Sequence, residues 1–336
     1  MGAGLALAVC LAFAFALTNG FHDASNAIAT LVATRAATPA QAIVLAGVFN
    51  MLGPILVGSA VAATIAGIVQ VSDDATVAVI GAGLIGATSW NLLTWWRGLP
   101  TSSGQALVGG LVGAALVEGG TSSVNWGGFD GWRPVGVIGT LVALAIAPVI
   151  GGIAAFLTLR LLRRGLRRGS SRLRTPVNRS QWAGAAALAF SHGANDAQKA
   201  VGLIGALLLA SGHTQSLAVP LWATVGSAAA LTLGTGLGGW KIVKTIGQKI
   251  YRMRPLDGFS SQASSSAVIL GASLLGAPIS TTHVVASSIV GIGVGRRRWH
   301  HVRWAIVRDM GIAWLTTIPA AGVIAAVSYM IWRWVA

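Results

Sequence analysis

Two carboxylates stand where carboxylates are costly. Asp23 and Asp196 lie inside long apolar stretches, whereas the other six acidic residues fall in connections or near the ends of such stretches. A charged side chain near the centre of a bilayer costs roughly 3 kcal/mol on insertion scales unless it is paired, protonated or bound to a cation. The surroundings of the two match. Asn19-Gly20-Phe21-His22-Asp23-Ala24-Ser25-Asn26-Ala27 overlays His192-Gly193-Ala194-Asn195-Asp196-Ala197-Gln198-Lys199-Ala200 at an offset of 173 residues. The chemistry such groups offer is a cation or proton site, with Asn26, Asn195 and the carbonyls of a broken helix as further ligands. The competing use is a pair of hydrogen-bonding anchors between helices, a task asparagine would perform at lower cost.

A second motif also occurs twice. Gly98-Leu99-Pro100-Thr101-Ser102-Ser103 overlays Gly276-Ala277-Pro278-Ile279-Ser280-Thr281 at an offset of 178. Gly-x-Pro followed by hydroxyl residues opens a helix, because proline suits the first turn and Ser or Thr caps it. If Pro100 and Pro278 each start a half-helix at the tip of a hairpin, two sets of unpaired N–H groups point inward. Helix N-termini of this kind, with hydroxyls beside them, hold oxyanions. Two such tips meeting would hold a tetrahedral anion. Helix-to-helix packing is the other common use of Ser and Thr in membranes.

Other polar residues qualify these sites. Arg97, just before the first tip, is either an anion-attracting charge or a side chain that snorkels beneath Trp95 and Trp96. Lys199 occupies the position equivalent to Asn26 and can neutralise Asp196 or touch the anion. An ammonium has no lone pair to offer a cation, so two symmetric sodium sites are not expected. Asp23 is then the carboxylate left to take a proton, with a single sodium ion beside Asp23 and Asn26 as the alternative. His22, His192 and His283 flank the motifs without HxxxH or HExxH spacing, so no metal site is expected, though one of them could handle a proton. Cys10, the single cysteine, excludes an internal disulfide or a thiolate metal cluster.

The elements that must carry these residues are membrane spans. The chain is 54% hydrophobic and 9% charged, with mean hydropathy +0.73. A soluble domain carries about a quarter charged residues. Apolar stretches at 41–69, 134–159 and 304–332 exceed the roughly 20 residues needed to cross hydrocarbon. The first apolar run lacks a basic leader, so a retained span is expected, broken at Thr18-Asn19-Gly20. The net charge of +15 does not point to nucleic acid, because 18 of the 23 basic residues sit in three short segments at 160–179, 241–254 and 296–308. Basic residues in such connections mark the cytoplasmic face and meet anionic headgroups there. With those segments inside and 118–130 outside, the apolar regions 76–117 and 262–295 each leave and return on one face. Each half then reads as two spans, a re-entrant pair and a span, in opposite orientations. The expected architecture is an all-α polytopic fold of two inverted repeats, 1–159 and 181–336, joined by a basic linker at 160–180, with broken helices and paired re-entrant hairpins.

The residues carry a resemblance. Gly20-Phe-His-Asp-Ala-Ser-Asn-Ala-Ile-Ala-Thr30, Phe190-Ser-His-Gly-Ala-Asn-Asp-Ala-Gln-Lys199, Gly98-Leu-Pro-Thr-Ser-Ser103 and Gly276-Ala-Pro-Ile-Ser-Thr-Thr-His283 resemble the signatures of the inorganic phosphate transporter (Pit) family over essentially the whole chain. The resemblance implies a multi-pass plasma-membrane symporter of phosphate with protons or sodium. Some bacterial members carry neutral metal–phosphate complexes and some carry sulfate. It further implies Ser102, Ser103, Ser280, Thr281 and Thr282 as anion contacts, and Asp23, Asn26, Asn195 and Asp196 as the ion side. The family commonly has Ser-His after the first Pro-x-Ser-Ser, where this chain has Gly104-Gln105. The implied partners are inorganic phosphate and the lipid bilayer, with a homo-oligomer left open and no cofactor beyond the coupling ion. A proton-driven phosphate symporter is the reading, with a sodium-coupled phosphate symporter or a sulfate permease as alternatives. Phosphate near neutral pH can donate a hydrogen bond to a carboxylate and sulfate cannot, which favours phosphate beside Asp23 and Asp196. An intramembrane aspartyl protease built on the two aspartates would leave the paired anion-binding tips without a purpose. An anion channel is the other alternative, which saturable, gradient-driven uptake in liposomes separates from a carrier.

Overall fold

The computed structural model describes residues 2–166, 174–217 and 219–335 of the chain. Arg167, Arg168, Arg172 and much of the basic linker thus lie outside the described residues. The structure is helical throughout, apart from a two-stranded ribbon of β1 (Gly128–Asp130) and β2 (Arg133–Val135). The first half holds α1 (Ala3–Ala33), α2 (Pro39–Val57), α3 (Ala60–Ala66), α4 (Asp73–Arg97), α5 (Ser103–Gly119) and α6 (Gly136–Gly165). The second holds α7 (Arg174–Ala210), α8 (Leu221–Leu237), α9 (Trp240–Lys244), α10 (Pro255–Leu274), α11 (Thr281–Gly295) and α12 (Trp304–Val335). Among the described residues, six helices are long and apolar enough to cross a membrane, with α8 and α11 as shorter apolar helices. The outward faces of α2, α6, α8 and α12 expose Val44, Leu56, Leu161, Leu233 and Leu315, and tryptophans are exposed near the helix ends, as Trp96, Trp299 and Trp334 are, and in the ribbon turn, as Trp132 is. Apolar flanks with aromatic ends are what lipid and its interfaces require. The protein is a multi-pass membrane protein.

Local chemistry sets the helix ends. Thr38 and Gln41 form a reciprocal capping box ahead of α2, and Asp73 and Asp74 occupy the first turn of α4 where the helix dipole favours them. The cap ending α4 is Gly98, with φ +69°, a conformation glycine adopts without a side-chain clash. Helix α6 extends to Gly165 and α7 begins at Arg174, so helix occupies much of the expected 160–180 linker.

The helix breaks fall elsewhere than expected. Helix α1 runs unbroken through Thr18-Asn19-Gly20, and α7 runs unbroken through His192-Gly193. Those glycines serve close crossing. A Cβ at Gly20 would lie 2.1 Å from the Leu231 carbonyl oxygen of α8, and one at Gly193 would lie 2.2 Å from that of Asn50 on α2. The breaks are instead at Gly58, φ +90°, between α2 and α3, and at Gly238, φ +66°, between α8 and α9. The expected single span over 41–69 is therefore two helices.

Two hairpins, α4–α5 and α10–α11, complete the core. The open ends of the first are tied together: Val69 bridges Val124, and Gln70 N donates to Ser123 O at 2.9 Å. At the second, Arg303 N donates to Ile250 O at 3.0 Å and Arg296 Nε donates to the buried Asp257 carboxylate at 2.7 Å. Each hairpin leans on the last helix of the other half, α5 on α12 and α11 on α6, while α1 packs with α8 and α2 with α7. The prolines sit further out than expected. Pro100 and Pro278 lie two residues before the N-caps Ser102 and Ser280, so neither occupies the first helical turn.

Candidate functional site

One face of α1 carries Asn19, His22, Asp23 and Asn26, and one face of α7 carries His192, Asn195, Asp196 and Lys199; all are buried. The i, i+3, i+4, i+7 spacing puts four side chains on one stripe of each unbroken helix. The two stripes face the tips of the two hairpins. A helix that continued straight could do this because the polar residues repeat at helical spacing, and no break is needed to aim them.

Both tips converge on Asp23. Ser103 Oγ of the first tip donates to Asp23 Oδ2 at 2.8 Å, and Thr282 Oγ1 of the second donates to Asp23 Oδ1 at 2.8 Å. The His22 Nδ1 atom lies 2.9 Å from Oδ1, and its Nε2 lies 3.1 Å from the hydroxyls of Thr94 and Thr101. Asn26 Nδ2 donates to Thr281 and Thr282 at 3.0 Å each, which joins α1 to the tip of the opposite half.

Asp196 has a different shell. Lys199 Nζ pairs with its Oδ1, Thr281 Oγ1 donates to Oδ2 at 2.9 Å, and His192 Nε2 lies 2.9 Å from Oδ2. Lys199 Nζ also donates to the Ile279 carbonyl at 3.2 Å. Asn195 Nδ2 donates to Ser273 Oγ and the Ala277 carbonyl, at 3.1 and 3.2 Å. Ligand atoms of Asp23, His192 and Asp196 all lie within 4.8 Å of one another, a grouping that sequence spacing does not reveal.

The tips themselves are helix N-termini. Ser102 Oγ accepts the Gln105 amide at 3.1 Å and Ser280 Oγ accepts the His283 amide at 3.2 Å, so both serines act as N-caps. The amides of Ser103 and Gly104, and of Thr281 and Thr282, have no intrahelical acceptor by helix geometry. Trp314 of α12 clasps both tips, donating to the Pro100 carbonyl at 3.1 Å and stacking on His283 at 3.8 Å between ring centroids. Around the tips, Asn19 Nδ2, Gln105 Oε1, Asn195 Oδ1 and His283 Nε2 are buried without a hydrogen-bond partner among the described residues. Buried polar atoms left open in this way belong beside a ligand or water.

The structure thus gathers Ser102, Ser103, Ser280, Thr281 and Thr282 with Asp23, Asn26, Asn195, Asp196 and Lys199. Arg97 does not join them: it is exposed in the last turn of α4, the position of a charge reaching past the tryptophans. Sequence reasoning passed over Asn19, Asn50, Thr94, Thr101 and Trp314. Asn19, one turn before Asp23, was detectable by helical spacing; Trp314, more than two hundred residues from the first tip, carried no local signal. Chemically, the arrangement offers a carboxylate without an ammonium partner beside two positive helix ends, so a cation or proton and an oxyanion can be held within a few ångströms.

A family model described as the phosphate transporter family matches residues 19–325. A probable low-affinity inorganic phosphate transporter of Bacillus subtilis is 38% identical across 97% of this chain and 96% of its own length. Another of the same description, from Rhizobium meliloti, is 37% identical across 96% of this chain and 94% of its own. Among solved structures, one described as the sodium-dependent phosphate transporter matches with a TM-score of 0.88 at 25% identity, covering 99% of this chain and 100% of that one. These relatives are named for transport, not for catalysis. With a family model spanning nearly the whole chain and relatives this similar at nearly full length, the chain belongs to the phosphate transporter family.

Proposed function

We propose that this protein is a secondary symporter that carries inorganic phosphate into the cell together with a proton, and that Asp23 takes up and releases that proton in each cycle. The observation that carries the reading is the contrast between the two aspartates. Asp196 has a built-in ammonium partner in Lys199, whereas Asp23 is held by the hydroxyls Ser103 and Thr282 and by His22. Asp23 must acquire a positive charge from outside before an anion settles on the tips beside it. The curated relatives named for low-affinity phosphate transport support phosphate as the cargo. Ser102, Ser103, Ser280, Thr281 and Thr282, with the open amides of α5 and α11, are the proposed anion contacts; Asn26 and Asn195 order the ion side. A metal–phosphate complex would present the same oxyanion face to the tips. Sodium in place of the proton is the second reading, favoured by the name of the matched solved structure and by the oxygens of Asp23 and Asn26. Radiolabelled phosphate uptake into proteoliposomes, with sulfate and arsenate as competitors, tests the cargo. Preference for sulfate would overturn it.

Replacing Ser102 and Ser280 by Ala should weaken apparent phosphate affinity by roughly fivefold each, since a hydroxyl hydrogen bond contributes about 1 kcal/mol and each serine also caps its helix. Detergent-solubilised protein should remain folded. Unchanged affinity in both variants would return these hydroxyls to a packing role.

The proposed topology places 160–179, 241–254 and 296–303 in the cytoplasm and 119–130 outside, with 1–159 and 181–336 as inverted repeats. The matched helix pairings, α1 with α8 and α2 with α7, support it. Cysteines at Ser122 and at Ser170, the latter outside the described residues, in a Cys10-free background should label from opposite sides. Labelling of both from one side would refute the inversion.

A further inference from the structure

We infer that Lys199 is a tethered cation that permanently fills the second ion site which the internal repeat would otherwise provide, and that Gly104 is the substitution that seats it. The inference rests on the symport reading above and deepens it by fixing how many ions the site can accept.

The two halves can be compared position by position. The repeat offsets make Asp196 the counterpart of Asp23, Lys199 that of Asn26, and Gly104 that of Thr282. In the first set, Asn26 Nδ2 donates to Thr282 Oγ1 at 3.0 Å and Thr282 Oγ1 donates to Asp23 at 2.8 Å. Carboxylate, amide and hydroxyl thus form one oxygen-rich corner, contributed by α1 and the opposite tip. In the second set the carboxylate is kept, the amide has become an ammonium, and the hydroxyl residue has become glycine. The two changes fit each other. A Cβ built on Gly104 would lie 3.1 Å from Lys199 Nζ and 3.5 Å from its Cε, so a threonine side chain would press on the space the ammonium uses.

Chemistry explains what the exchange accomplishes. Lys199 is 1% exposed, and its Nζ is held by the Asp196 carboxylate and the Ile279 carbonyl. Carboxylate and carbonyl oxygens are the ligands a hard monovalent cation would seek. An ammonium offers three donors and no lone pair, so it satisfies those oxygens and excludes the ion. It also changes the charge count. Two carboxylates and one ammonium leave the centre with one net negative charge, and that charge resides on Asp23. One coupling ion per cycle, taken at Asp23, then neutralises the centre. A symmetric ancestor-like arrangement would need two.

The test restores the symmetry. In Lys199→Asn combined with Gly104→Thr, the amide and hydroxyl return and the ammonium is gone. Thermal unfolding of purified protein, titrated with sodium chloride against choline chloride, should show a saturable, sodium-specific rise in Tm. Its expected size is on the order of 5 °C at sodium a hundredfold above Kd. The unmodified protein should lack this increment. A folded, monodisperse double variant with no sodium-specific increment beyond that of the parent overturns the inference. Should the double variant fail to fold, Gly104→Thr alone decides the matter: crowding of Nζ predicts a lower Tm and slower uptake, and a variant indistinguishable from the parent overturns it. The proton reading fails separately. If the parent itself shows strict sodium dependence and a sodium increment, Asp23 is a sodium ligand, while an additional increment in the double variant still identifies Lys199 as the occupant of the second site.

Discussion

Proton-driven phosphate uptake should be abolished in Asp23→Asn, with a fall of about a hundredfold or more, the range over which a positioned proton-transfer group contributes. Asparagine matches the carboxylate in size, so the space between the tips is preserved. It cannot take up a proton and carries no charge to exchange. Its amide nitrogen would also face either Ser103 or Thr282, both of which donate to Asp23. Uptake by the parent protein should follow an inward proton gradient in sodium-free buffer. The measurement is initial-rate uptake in proteoliposomes, with the thermal midpoint of the variant as the folding control. Retained gradient-driven uptake in the variant would remove Asp23 from the cycle. Strict dependence on sodium with indifference to the proton gradient would assign the ion side to sodium.

The largest effect on folding should come from Gly193→Ala. A Cβ there would lie 2.2 Å from the Asn50 carbonyl oxygen and 2.7 Å from its Cα. Both are backbone atoms, which cannot swing aside as a flexible side chain can. The neighbouring crossing residue is equally tight, since a Cβ on Gly53 would lie 2.2 Å from the Phe190 carbonyl oxygen. Parting α2 from α7 would also separate Asn50 from His192, which it meets at 3.0 Å, and His192 stands against Asp196. Overpacking typically costs about 1–3 kcal/mol, and a clash between two helix backbones lies at or above the upper end. Size-exclusion chromatography of detergent-solubilised protein should show little or no monodisperse variant. Gly271→Ala is the matched control, since nothing lies within 4 Å of its Cβ position and alanine favours helix. Equal yields for the two variants would contradict the close-crossing account.

Much of the site was legible because its parts recur. The duplicated Asp23 and Asp196 motifs, the hydroxyl-bearing tips and the Lys199–Asp196 pairing all follow from residues close in sequence, and the structure assembles them. The two hairpins were legible too, since apolar stretches between like connections must double back. The breaks were not. Gly20 and Gly193 look like interruptions when read locally, yet they are close-approach sites inside continuous helices, a distinction set by a partner helix. Gly58 breaks its helix inside the apolar stretch 41–69, where no charged residue marks the spot, whereas Gly238 lies just ahead of the basic segment that opens at Lys241. The contacts that make Asp23 central, from Thr282 of the far half and Ser103 of the near one, belong to tertiary packing. Gly104 was legible as a departure from the family pattern, but its meaning required the position of Lys199 Nζ.

The crossed packing of the hairpins gives the two halves unequal histories during synthesis. When α10–α11 emerges, its partner α6 is already in the membrane. Hairpin α4–α5 leans on α12, which is the final helix and follows it by roughly 200 residues. At ribosomal speeds of about 5–20 residues per second, the early hairpin waits on the order of 10–40 s for its neighbour. During that wait its own two legs, α1, the strand-like tie at Val69 and Val124 and, once made, α7 hold it, without the α12 face. The hydroxyl tip that will cradle Asp23 is therefore among the first parts inserted and among the last to be clasped, when Trp314 arrives to close over Pro100.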